Sequence, residues 1–201
     1  RRYQRRMRET YWITGARLTD GRLADLLVDA GRIGAIGRAE GPAPRRDAGG
    51  RLVLPALIEG HVHLDKTFLG CAWQPHLPGA SVAERIRQEK VARQAVREPV
   101  AVRGARLVER LIARGVARIR THVDVDPEWG LANLEGVLSV REAYAAKVGI
   151  EIVAFPQSGI LRMPGTEALL DEALRQGCDL VGGLDPAGID GDPVCHLDIV
   201  F

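Results

Sequence analysis

The chain has 201 residues, 46% of them hydrophobic and 27% charged, with a formal net charge of +2. This reads as a soluble globular protein, large enough for one full domain or a domain with a small appendage. No apolar run reaches the ~18 residues of a membrane span, and the opening residues lack the apolar core of a secretory signal, so no membrane partner is expected.

Residues 1–9 form a basic tail. Five arginines crowd into "RRYQRRMR" without an aromatic ladder or a partner motif, so the run reads as a solvated tail and no nucleic acid is expected. Cys71, Cys178 and Cys195 are scattered and form no CxxC pair, which suggests a reducing compartment, taken as the cytoplasm. Residues 10–51 read as a small β-unit. "YWITGARL" and "LADLLVDAGRIGAIG" are short β-prone runs broken by Asp-Gly and Ala-Gly turns, with a hairpin expected at Asp29-Ala30-Gly31-Arg32.

From residue 52 the texture changes to strand, helix, strand, helix. The apolar run Leu52–Ile58 reads as a strand that finishes in the polar "EGHVHLDKTFLG". Ser81 and Glu84 form a capping box before a helical stretch. A second helical stretch has Val108, Leu111 and Ile112 on one face and stops at Gly115. Strand 116–125 follows. A helix with Leu134, Val137, Leu138, Tyr144 and Val148 on one face then runs to Gly149, and strand 150–156 comes after it. Thr166 is read as the cap of a helix closed by Gly177, and 179–184 as a fourth strand. His76 and His196 read as ordinary surface or helix residues.

Strands recurring about every 30 residues behind glycine-terminated helices give the βαβ rhythm of a parallel sheet, which both doubly wound sheets and (β/α)8 barrels produce. Strand 116–125 favours the barrel. Arg118, Arg120, His122 and Asp124 share one side and Ile119, Val123 and Val125 the other. A barrel covers the apolar side with helices and pairs the charges inside. The glycine-rich phosphate loop of a Rossmann sheet is missing. On this reading His122 and Asp124 belong to a buried interior network and are not ligands.

Residues two apart on a strand point the same way, so His61 and His63 share a face at the strand's C-terminal end, where barrel active sites lie. Two imidazoles on one face grip one divalent ion. Alternation adds Asp65, to orient a ligand or a bound water, and Lys66 reaches in from the loop beyond. Trp73 either walls the pocket or anchors its loop.

"LVLPALIEGHVHLDKTFLG", "RTHVDV", "IVAFPQSGIL" and "EALLDEALRQGCDLVGG", in that order, resemble the amidohydrolase superfamily. They are most similar to cytosine deaminases and relatives such as aminohydrolases of the N-isopropylammelide type. The resemblance implies an α/β fold: the first half of a (β/α)8 TIM-type barrel, preceded by a small N-terminal β-sandwich segment. It implies a hydrolytic deaminase with one divalent metal ion, zinc or iron, whose activated water attacks a cyclic amidine such as cytosine and releases ammonia or an amine. His61 and His63 match metal ligands, and Gln157 matches a glutamine that hydrogen-bonds the substrate ring. Asp65 and Lys66 are the catalytic candidates. Lys66, where the cytosine enzymes have threonine, contacts substrate or pairs with Asp185, itself a substrate-binding candidate.

The resemblance implies further ligands, a histidine from a fifth strand and an aspartate from an eighth, but residues 52–201 hold only four strand–helix units. A barrel of this kind takes about 250 residues. The chain is therefore read as the first half of a longer protein, with little deaminase activity alone. Its open sheet edges are expected to drive association into a homo-oligomer. The alternative is a catalytically incomplete half-barrel acting only as a binding or assembly module.

Overall fold

The structure, a computed structural model, describes residues 9–75 and 78–201; the arginine-rich tail to residue 8 and His76 lie outside the described residues. The chain divides into two compact units, with the boundary between Ala56 and Leu57.

The first unit holds a four-stranded sheet of β1 (Tyr11–Arg17), β2 (Leu23–Asp29), β3 (Arg32–Gly37) and β4 (Arg45–Asp47), in the order β3-β2-β1-β4. The β2–β3 hairpin turns where expected, with Asp29 opposite Arg32. Ala30 and Gly31 between them have φ of 47° and 78°, the positive pair that a two-residue hairpin requires. Trp12, Ala16 and Leu26 are its buried apolar residues.

The run Leu52–Ile58 is not one strand. Leu52 bridges to Arg17 in the first unit, and β5 starts only at Leu57 and runs to Val62. Pro55 lies between the two segments and has no N–H to give a ladder.

The second unit is built on a parallel sheet, β5-β6-β7-β8, of β5, β6 (Val116–Asp124), β7 (Gly149–Phe155) and β8 (Leu180–Val181). Helices α1 (Val82–Gln94) and α2 (Val100–Ala113) link β5 to β6. Helix α3 (Ala132–Tyr144) links β6 to β7, and α4 (Thr166–Gln176) links β7 to β8. A π-helical turn, Pro186–Asp190, and α5 (Pro193–Val200) follow. Leu64, Val108, Ile119, Val123, Leu134, Val137 and Ile152 form the core between sheet and helices. On the edge strand β5, Leu57 and Ile58 remain exposed.

Local signals are met with adjustments. Ser81 Oγ accepts from the Glu84 amide, while Glu84 reaches back to Ala80 and not to the cap residue itself. Thr166 is not a cap: Gly165, at φ 97°, precedes the helix, and the Thr166 hydroxyl donates to the Met163 carbonyl. Gly149 opens β7, since α3 ends at Tyr144. The fourth strand is two residues long, flanked by the Asp179 amide donating to the Ile152 carbonyl and the Gly182 amide donating to the Ala154 carbonyl. Among the described residues no helix is long and apolar enough to cross a membrane.

Candidate metal centre and the ion network beside it

The ladder between β5 and β6 places Val62 opposite Thr121. Neighbours in a ladder share a face, so His61 and His63 fall on the side of Arg120 and His122. The buried Thr121 hydroxyl accepts from the Leu64 amide at 3.0 Å and anchors the chain as it leaves β5. One ring nitrogen from each of His61, His63 and His122 lies within 4.8 Å of the others. The His61 and His122 rings stack at 4.1 Å between centroids, and His63 sits 5.5 Å from the first and 5.6 Å from the second. Phe155, at the end of β7, meets His63 and His122 edge-on.

This corrects the reading of His122 as part of the interior network. Parity along its own strand is the same for both roles; the register against β5 decides, and that is a long-range fact.

The electrostatics suit a cation bound by neutral imidazoles. Burial, then the charges of Lys66 and of His122 and His61, push the His63 pKa down to about 3. Burial, then His61 and Arg120, lower that of His122. Neutral rings keep a lone pair free for a ligand. Buried His63 Nδ1 has no hydrogen-bond partner among the described residues. Its closest carboxylate oxygen is Asp65 Oδ1, 3.9 Å away. An orphaned buried nitrogen beside two further imidazoles fits a divalent ion.

Asp65 lies in a turn after β5, where strand alternation has ended. Fully buried, it accepts from Arg93 Nη2 at 3.3 Å and from the Asp124 amide at 3.1 Å. Arg93, on α1 and 5% exposed, also donates to Asp124 Oδ2 at 2.6 Å. Burial first, and the Asp124 charge second, raise the Asp65 pKa to about 7. Burial also raises that of Asp124, against the pull of Lys66 and Arg93. Asp124 thus belongs to the buried network expected of it. Arg93 was not legible: one arginine among several on a charged helix gives no sign that it turns inward.

Lys66 does not pair with Asp185. Its Nζ lies 3.0 Å from Asp124 Oδ1 and 3.1 Å from Glu89 Oε1, and it donates to Gln157 Oε1 at 2.7 Å. Asp185 is exposed, at φ 38°, and accepts from the Gly188 amide at the head of the π-helical turn. Its side chain is occupied locally, which explains why the expected pair does not form.

Gln157 follows β7 and lines a recess of about 330 Å³ together with Ile86, Lys90, Ser158, Met163 and Ile189. Two buried anchors hold the loops around it. Asp126 accepts from Lys90 Nζ at 2.8 Å and from Ser158 Oγ at 2.7 Å. Burial works to raise its pKa, but these hydrogen bonds outweigh burial and hold it low. Asp190 accepts from the Ile160 and Arg162 amides, and its Oδ2 lies 2.6 Å from His196 Nδ1. His196 lies on α5, as one of its two readings had it, but it is a buried anchor and not at the surface. Trp73 is 83% exposed, so it does not anchor its loop by burial.

No family model matches the chain. Among curated proteins it is 36% identical over 160 residues to the uncharacterized protein YahJ of Escherichia coli (strain K12), covering 79% of this chain and 35% of that one. It is 32% identical over 162 residues to the N-isopropylammelide isopropyl amidohydrolase of Pseudomonas sp. (strain ADP), covering 77% and 40%. Among solved structures, N-isopropylammelide isopropylaminohydrolase from Burkholderia multivorans ATCC 17616 superposes with a TM-score of 0.89 and 41% identity over 96% of this chain. The chain belongs to the amidohydrolase superfamily. A 5-methylcytosine deaminase from Klebsiella pneumoniae, liganded with phosphonocytosine, matches at a TM-score of 0.76 and 30% identity over 94% of this chain. The chain spans 35% to 49% of the length of these four proteins. Its parallel sheet and helices match the N-terminal part of the superfamily's TIM barrel, with the small antiparallel sheet ahead of it.

Proposed function

We propose that this chain supplies one part of the active centre of a metal-dependent aminohydrolase that releases ammonia or an amine from a flat nitrogen heterocycle. The observation that supports this reading is the convergence of three imidazoles, with nitrogens within 4.8 Å of one another, at the C-terminal ends of two adjacent parallel strands. Active sites of barrels lie at that end. His61 and His63 would hold a divalent ion, zinc or ferrous iron, with His122 at hand. Such an ion lowers the pKa of water towards neutrality and so makes hydroxide available at working pH. Phe155 walls the imidazoles on one side, and Gln157 offers its carboxamide to a ring. The ring class comes from relatives named for N-isopropylammelide and 5-methylcytosine.

Two measurements test the reading. Zinc competition against a chromophoric chelator, on the chain, is expected to show binding that His61→Ala and His63→Ala each abolish and His122→Ala weakens. Amine release from N-isopropylammelide and from cytosine, by the protein that carries this chain, is expected to disappear in the first two variants. Release that survives both substitutions overturns the proposal. Metal binding without any release favours a binding or assembly module instead.

A further inference from the structure

Lys66 makes one side-chain hydrogen bond, to Gln157 Oε1 at 2.7 Å, and its ammonium is flanked by two ion-pair partners, Asp124 Oδ1 at 3.0 Å and Glu89 Oε1 at 3.1 Å. An ammonium has only donors and no acceptor. The contact with Gln157 also fixes the amide. Only the oxygen end of a carboxamide can meet a group that solely donates, so the –NH2 end is the one left over. Gln157 Nε2 makes no hydrogen bond to protein among the described residues and is not among the sealed, unpartnered atoms, while the side chain lines the 330 Å³ recess. The backbone beneath is held, with the Gln157 amide donating to Phe155 and the adjacent Ser158 tied to Asp126.

We propose that Lys66 is a positioning residue that sets the polarity of Gln157, so that the site selects a ring edge that accepts hydrogen bonds, a carbonyl or an unprotonated ring nitrogen, over one that donates. The inference rests on the proposed ring-binding role of Gln157. It turns a side chain that otherwise offers a donor and an acceptor alike into a one-way donor. A ring presenting amino groups there would set N–H against N–H and leave both without a partner.

Binding, not turnover, tests it. The zinc-loaded chain is titrated with two neutral flat probes that have no leaving group for hydrolysis: 1,3-dimethyluracil, whose carbonyls only accept, and 1,3-diaminobenzene, whose amines chiefly donate. The expected result is a preference of about tenfold for dimethyluracil, the size of one well-placed hydrogen bond at an open site. Lys66→Met frees the amide to rotate and brings the ratio near one. Lys66→Arg, which still donates, keeps the preference. Gln157→Glu leaves an acceptor facing the recess and inverts it. If Lys66→Met fails to fold, the other two variants decide. An unchanged ratio in Lys66→Met or Gln157→Glu, a wild-type preference for the diamine, or binding of neither probe overturns the inference. A ratio that behaves as expected in a protein that releases no amine sinks only the hydrolytic reading.

Discussion

Arg93→Met removes the guanidinium that pairs with both buried carboxylates, Asp65 at 0% and Asp124 at 1% exposure. Breaking a buried pair costs about 3–5 kcal/mol, because the remaining charge loses its partner inside. Lys66, 3.0 Å from Asp124, still covers that carboxylate, so most of the loss falls on Asp65 and the low end of the range applies. The guanidinium also lies 4.8 Å from the Trp129 ring centroid, a contact worth ~1 kcal/mol. Its half-exposed contact with Glu89, at 3.5 Å, adds only ~0.3–0.5 kcal/mol. The total is about 4–5 kcal/mol at pH 8.

The cost depends on pH with a definite sign. The Asp65 pKa rises from 3.8 to about 7 on folding, so between those values the folded state holds a proton that the unfolded chain does not. Stability from this group is fully present below about 4 and is lost as pH rises through 7. Without Arg93 the pKa moves higher still, and the penalty is smaller at pH 5, where Asp65 is protonated, than at pH 8, by roughly 1 kcal/mol per unit of further shift. Urea unfolding followed by far-UV circular dichroism at the two pH values measures both effects. Adding Asp65→Asn is expected to recover part of the loss. A loss below about 1 kcal/mol at pH 8, or equal losses at both pH values, refutes the reasoning.

Two further outcomes follow from contacts elsewhere. A Cβ added at Gly136 would come within 2.8 Å of Val100 Cβ, where α3 meets α2. Gly136→Ala should therefore destabilise by about 1–3 kcal/mol in thermal or urea unfolding, despite alanine's better helix propensity. The Tyr144 hydroxyl donates to Glu109 Oε1 at 2.7 Å, and that bond, with burial second, raises the phenol pKa to about 12. Stability from this bond is present below about 10 and lost as pH rises through 12. In Glu109→Gln the phenolate absorbance near 295 nm should appear at lower pH, close to the ordinary tyrosine value.

Several features were legible because they are local. The hairpin at Asp29–Arg32 needs only a two-residue turn with positive φ. Strand–helix alternation shows in glycine stops and apolar periodicity, and the Ser81 cap in a spacing of three. His61 and His63 share a face because strand parity over two residues depends on nothing else. The same rule failed at Asp65, since the strand had already become a turn, and the apolar run from Leu52 misled because half of it pairs with β1. The partners of Lys66 and His196 were out of reach for another reason. Lys66 meets Gln157 across 91 residues of chain, and Asp190, which faces His196, ends a π-helical turn that carries no local sequence signal.

The amino-acid order by itself determined the parallel strand–helix unit, the preceding β-unit and the paired histidines, because turn chemistry and side-chain parity act within a few residues. Only the tertiary structure decided that His122 joins that pair, that Arg93 turns inward to two carboxylates, and that Lys66 lies between Asp124 and Glu89 and donates to Gln157. Those outcomes depend on the register between strands and on the helix packed against their ends, and distances of that kind exist only once the chain has closed on itself.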